Sequence, residues 1–230
     1  MLQPPAEARI DVPWGHRAVS VGLAVAAGVA ITIVALLSLA YRGPGAPPWV
    51  VLVGTLVLEV ALLGTALRAI AVTPGATRAM LFGPRRLATV PNFAWGALAL
   101  AGSVAAGAVY IAIVSRISES LAPSPLPIDI PESGQRWLAL FVIVLVGPFA
   151  EEVFFRGFIF AGLLRRLGPT LAVVTSSAVF AVAHLDLAVA GPAFLSGCVF
   201  ALVYRRTGSL WPVVLAHTAQ NAIAFALAGV

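Results

Sequence analysis

In WLALFVIVLVGPFAEEVFFRGFIFAGLL, residues 137–164, only Glu151, Glu152 and Arg156 carry charge. A helix needs about 20 mostly apolar residues to cross a bilayer, and an ionisable side chain inside such a run is costly and a functional candidate by default. This one stretch therefore points both to lipid as the solvent and to the place where chemistry is expected. Gly147 and Pro148 should loosen the helix just before Glu151, since proline has no N–H and crowds the preceding turn, and the freed backbone groups then need a partner or a cavity. Side chains four apart share a helix face, so Glu152 can pair with Arg156, while Glu151 projects about 100° away. We read Glu152 and Arg156 as a desolvated ion pair and Glu151 as the carboxylate left free for proton transfer. A single structural network of all three stays open.

The rest of the 230-residue chain agrees. Its composition is 60% hydrophobic and 10% charged, against roughly 45–50% and 25% in soluble domains. A mean hydropathy of +1.01 rules out a solvated disordered polymer, and the single cysteine, Cys198, rules out a disulfide-stapled scaffold. Runs of membrane-crossing length extend approximately over Ala18–Ala40, Trp49–Ile70, Phe93–Ser115, Trp137–Leu164, Pro169–Asp186, Leu187–Tyr204 and Ser209–Ala228. The expected fold is all-α: a polytopic membrane helix bundle with about seven transmembrane helices. No internal repeat stands out, and the proline-rich stretch 122–131 reads as an exposed loop.

The net charge of +5 comes from 14 basic residues, all of them arginine. They lie singly or in pairs between apolar runs, which is the pattern of topology signals and not of a nucleic-acid face. Arg9 and Arg17 precede the first run; Arg78, Arg85 and Arg86 follow the second; Arg165 and Arg166 follow the fourth; Arg205 and Arg206 follow the sixth. The alternate connections carry Arg42, then Arg116 and Arg136 diluted by Glu119, Asp129 and Glu132, then Asp186 alone. The positive-inside rule then puts the N terminus in the cytoplasm and the C terminus outside. Tryptophans 14, 49, 95, 137 and 211 fall near the ends of runs, where interfacial anchors are expected.

Other polar groups within runs are few. Glu59 in the second reads as a buried partner of an arginine or as a protonated hydrogen-bond donor. His217 and Asn221, four apart in the last run, share a face and could simply link helices. His184 alone is weaker still. Together, however, a carboxylate, two imidazoles and an amide on three late runs supply a base, a water-orienting partner and donors for an oxyanion.

Glu151 to Arg156 reads EExxxR, Phe180 to His184 FxxxH, and His217 to Asn221 HxxxN. This set resembles the CAAX-protease and bacteriocin-processing family of intramembrane endopeptidases, which includes the type II CAAX prenyl proteases; the resemblance covers roughly residues 140–225. It implies that Glu151 and His184 activate a water, that His217 and Asn221 stabilise the oxyanion, and that Glu152 and Arg156 support the site. It divides the chain into an N-terminal cytoplasmic segment (1–17), helices one to three with their loops (18–135) and a catalytic core (136–230). Its implied partners are a peptide or prenylated protein substrate and membrane lipids, with no nucleic acid; its implied location is a cell membrane. It also implies a glutamate-driven reaction without a cofactor, although Glu151, His184 and His217 could in principle form a two-His, one-Glu zinc set. Two rivals stand beside it: a noncatalytic immunity or scaffold protein of the same fold, and a proton-coupled transporter using Glu59, Glu151 and His184 as a relay. The side from which substrate enters stays open, because His184 falls late in an outward-running segment.

Overall fold

In a computed structural model of the chain, residues 10–41, 45–83, 90–118 and 133–228 are described. Arg9, Arg42, Arg85, Arg86, Glu119, Asp129, Glu132 and the 122–131 stretch lie outside them. Among the described residues the regular structure is all helical, without strands. Helix α1 is His16–Ala40, α2 is Pro48–Ala71, α3 is the short Arg78–Phe82 and α4 is Val90–Val114. The long apolar stretch Gln135–Ala183 runs for 49 residues and breaks at Gly168, whose φ of 70° lies in the left-handed region. Glycine tolerates that conformation and Pro169 restarts a helix at its first turn, so the stretch becomes α5 (residues 133–167) and α6 (residues 169–183). Then follow α7, Leu187–Thr207, and α8, Trp211–Leu227.

Among the described residues, five helical stretches are long and apolar enough to cross a membrane, including the one that breaks into α5 and α6. The 17-residue α8 extends about 25 Å at ~1.5 Å per residue, just short of the hydrocarbon thickness. The chain is thus a polytopic helical membrane bundle whose helices follow the seven apolar runs. Its outward surface is apolar, as lipid requires: Val21 of α1 and Val60 of α2 are exposed. Phenylalanines 154, 158, 160 and 200 fill the interior.

Helix α5 is the irregular element. Leu140–Val146 and Glu152–Phe160 are wound as π-helix, separated by the α-helical Gly147–Glu151. The looseness expected at Gly147–Pro148 is therefore a widened turn and not an open break. α6 ends at Ala183, earlier than the expected Asp186. Leu185 takes a left-handed φ of 54°, and the Asp186 side chain accepts from Ala188 N at 2.8 Å, capping α7.

Connections expected on one side of the membrane meet at one end of the bundle. Arg166 donates to His16 at 2.6 Å, Leu210 N donates to Phe82 O at 3.1 Å, and the Arg206 guanidinium stands 5.9 Å from the Trp95 ring. One tryptophan departs from expectation. Trp14 is 2% exposed, and its Nε1 donates to Phe158 O at 3.0 Å, so it is a core residue tying the chain's start to α5 and not an interfacial anchor. Trp49 and Trp137, 52% and 76% exposed, lie as expected.

Gly83 closes α3 against the turn between α7 and α8. Its φ is 68°, and a methyl group there would overlap the Gly208 carbonyl. Gly75 has a similar φ of 77° with open space around it. Gly83→Ala should therefore cost more than about 2 kcal/mol and Gly75→Ala only about 1 kcal/mol. Thermal unfolding in detergent checks both, and equal losses would show that the Gly83 contact adds nothing to the strain.

Candidate active site

The wide turns of α5 place three charged groups against α8. Arg156 Nη1 donates to Glu152 Oε1 at 2.8 Å, with side chains 1% and 0% exposed. This is the ion pair expected from the spacing, and it extends further. His217 Nδ1 lies 2.9 Å from the same Glu152 oxygen, and His217 Nε2 lies 3.6 Å from Glu151 Oε2. A carboxylate only accepts, so Nδ1 carries the hydrogen; Glu152 thereby fixes the ring and turns Nε2 toward Glu151. Glu151 is 19% exposed at its side chain. The division between a buried, paired Glu152 and a more accessible Glu151 is thus realised, and His217 joins the two.

Phe180 organises the site from α6. Its ring stands 4.4 Å from the Arg156 guanidinium carbon, 4.8 Å from the His184 ring and 6.0 Å from the His217 ring. Phe200 of α7 covers Arg156 at 5.5 Å and His217 at 5.4 Å. Two aromatic faces thus meet a guanidinium whose Nη2 has no hydrogen-bond acceptor, and the ring quadrupoles offset part of its desolvation. Neither role was read from the sequence. The available signal was the helical spacing of Phe180 and His184, four apart.

His184 caps α6. Its Nδ1 donates to Phe180 O at 2.9 Å, so the neutral ring offers Nε2 as an acceptor. His184 and Glu151 line one cavity of about 660 Å³, whose other walls, apart from Thr55 and Glu59 of α2, are apolar side chains of α1, α2, α5 and α6. Leu23, Ala26, Ala27, Ala30, Ile31 and Val34 recur at helical spacing down one side of α1, and the alanines among them leave the room.

Asn221 Nδ2 donates to Ile143 O at 2.9 Å. The local winding explains this bond. Gly147 N reaches back five residues to Val142 O, so the next amide in the π register would serve Ile143 O. That residue is Pro148, which has no N–H, and Asn221 supplies the missing donor. Glu59 of α2, expected beside an arginine or as a protonated donor, is 4% exposed and lines the same cavity as Glu151.

The structure therefore gathers Glu151, Glu152, Arg156 and His217 directly, adds Asn221 through Ile143, and places His184 on the cavity wall. A zinc set of Glu151, His184 and His217 does not fit this arrangement. Among the described residues no group of three His, Cys, Asp or Glu side chains is arranged to hold a metal ion. Ser196 is a buried packing residue that accepts from Gln220 at 3.3 Å, and Cys198 is partly buried against the core.

Residues 133–223 match the family model described as Type II CAAX prenyl endopeptidase Rce1-like. The chain is similar to a protein of Bacillus subtilis (strain 168) named as a candidate membrane peptidase, YdiL, at 34% identity over 84 residues, 36% of this chain and 34% of that protein. It is also similar to the membrane-embedded CAAX protease MroQ of Staphylococcus aureus (strain USA300), at 33% identity over 88 residues, 36% of each chain. Each match spans about a third of the relative's length. No solved structure matches significantly. The match to the Rce1-like family model falls on α5 to α8, the helices that carry the site.

Removing one partner of a buried ion pair leaves the other uncompensated, so Arg156→Met should cost about 3 kcal/mol or prevent folding. Asn221→Ala leaves one carbonyl unsatisfied and should cost about 1 kcal/mol. Unfolding midpoints in detergent test the ranking, and an Arg156→Met protein as stable as the parent would contradict the network.

Proposed function

We propose that the chain is an intramembrane endopeptidase that hydrolyses a peptide bond of a membrane-associated or lipidated peptide, using water activated by Glu151 and His184. The observation that carries this reading is the meeting, at one apolar cavity, of an accessible carboxylate and an imidazole acceptor, with His217 and Asn221 behind them. The match to the Rce1-like family model and the name of MroQ as a membrane-embedded CAAX protease support it.

On this reading the water stands between Glu151 and His184 Nε2. Glu151 takes a proton as the water oxygen bonds to the scissile carbonyl carbon, and returns it to the amine nitrogen as the carbon–nitrogen bond breaks. One water is consumed per bond. The oxyanion receives hydrogen bonds from His217 Nε2, which carries a hydrogen when the ring is in its imidazolium form with Nδ1–H held by Glu152, and from the amide hydrogen of Asn221 that Ile143 does not use. The Arg156–Glu152 pair holds the His217 ring, so it orients without touching substrate.

The cavity's alanine-lined wall suits a hydrocarbon chain, which would anchor a lipidated peptide beside Glu151. Neither the base nor the oxyanion donors call for a metal, and we propose that none takes part. The arginine-rich end of the bundle is cytoplasmic on this reading, with the N terminus inside.

Purified protein in detergent should cleave a farnesylated peptide, read by mass spectrometry, and Glu151→Gln should reduce turnover by at least about 100-fold, the usual reach of a general base. Prolonged chelation should leave cleavage intact. Undiminished turnover by Glu151→Gln would sink the proposed mechanism, while chelator-sensitive, zinc-restorable cleavage would make it a metalloenzyme.

A further inference from the structure

Glu59 stands outside the 133–223 match, on a helix the family comparison leaves unassigned. α2 carries no other acidic residue, and its neighbours Thr55 and Leu62 line the cavity beside it. The carboxyl packs over Gly147: a methyl group at that glycine would come within 3.9 Å of both Glu59 Cδ and Oε1. The first turn after the π stretch thus leaves room for a side chain from another helix to reach Glu151. Glu59 is 4% exposed, lines the same cavity as Glu151, and has a buried Oε2 with no partner among the described protein groups.

A hydrogen bond between two carboxyl groups exists only while one of them carries a proton. Glu151 already faces His217 Nε2 and the cavity, whereas Glu59 faces apolar side chains and Gly147. The other charged or titratable groups nearby are Glu152 and Arg156 on α5, which engage each other, His217 on α8 and His184 on α6. We propose that Glu59 is a positioning residue of the site: as a protonated acid it donates to the Glu151 carboxylate and holds that carboxylate at the cavity wall. This rests on the reading of Glu151 as the base. It would make α2 an active part of the site and not merely a membrane span.

Two measurements test this together. In detergent at neutral pH, the infrared spectrum of the intact protein should contain a carboxylic-acid C=O band that Glu59→Gln removes and Glu151→Gln shifts. On the farnesylated peptide, Glu59→Leu, which keeps the volume but cannot donate, should lower kcat at least about tenfold with KM within about twofold, the signature of lost orientation. Glu59→Gln, which can still donate to Glu151, should recover most of that loss; a purely structural role would lower the unfolding midpoint and leave kcat of the folded fraction unchanged. The inference is overturned if the wild type has no carboxylic-acid band, if the band survives Glu59→Gln, if Glu59→Leu keeps its kcat, or if Gln is no better than Leu. The infrared arm needs no substrate. It therefore still decides whether the Glu59–Glu151 hydrogen bond exists if Glu151→Gln cleaves normally and the endopeptidase reading falls.

Discussion

A guanidinium sealed inside a lipid-facing bundle sets the terms for everything around it. Arg156 is 1% exposed, and a charge so placed persists only if an opposite charge and polarisable groups replace its water. Glu152 supplies the charge, and Phe180 and Phe200 supply the aromatic faces. The same Glu152 oxygen then holds His217, so the orientation of an α8 imidazole follows from the neutralisation of an α5 arginine. Buried pairs of this kind add little net stability, because desolvation offsets most of the attraction. What they fix is geometry: α5, α6, α7 and α8 can meet around Arg156 in few ways.

The second constraint is the winding of α5. Widening the turns on either side of Gly147–Glu151 changes which carbonyls lack donors. Pro148 makes one such deficit permanent, and Asn221 fills it from across the bundle. A residue that resemblance assigns to oxyanion binding therefore also repairs the backbone. One amide nitrogen has two hydrogens, and the geometry uses one of them for Ile143.

Much of this was legible in the sequence because lipid reduces the alternatives. Apolar run length marked the helices to within a few residues, and the four-residue spacing from Glu152 to Arg156 gave the ion pair, since both depend only on local periodicity and solvent. The π stretches were not legible, because leucine, valine and phenylalanine wind equally well in either register until neighbouring helices choose. Trp14 misled for a related reason: tryptophan at the end of a run serves equally as an anchor or as core, and only the approach of the Phe158 carbonyl decides. Glu59 was visible as an anomaly, but the carboxylate with which it shares a cavity lies on a distant helix, and no spacing rule brings residues 59 and 151 together. Phe180 was legible as the first residue of FxxxH, but not as the ring that covers Arg156, because no local spacing links α6 to α5.

One wall of the cavity comes from a different part of the chain than most of the polar cluster. Alanines 26, 27 and 30 belong to α1, while Glu151, His184, His217 and Asn221 belong to the C-terminal helices. Exchanging a methyl for a larger side chain on α1 would narrow the chamber like a stop set into a sleeve, without disturbing the carboxylate and imidazole at its end. Capacity and chemistry can therefore diverge separately: a lineage could retune what fits by drifting along one lipid-facing helix while the buried ionic centre stays fixed.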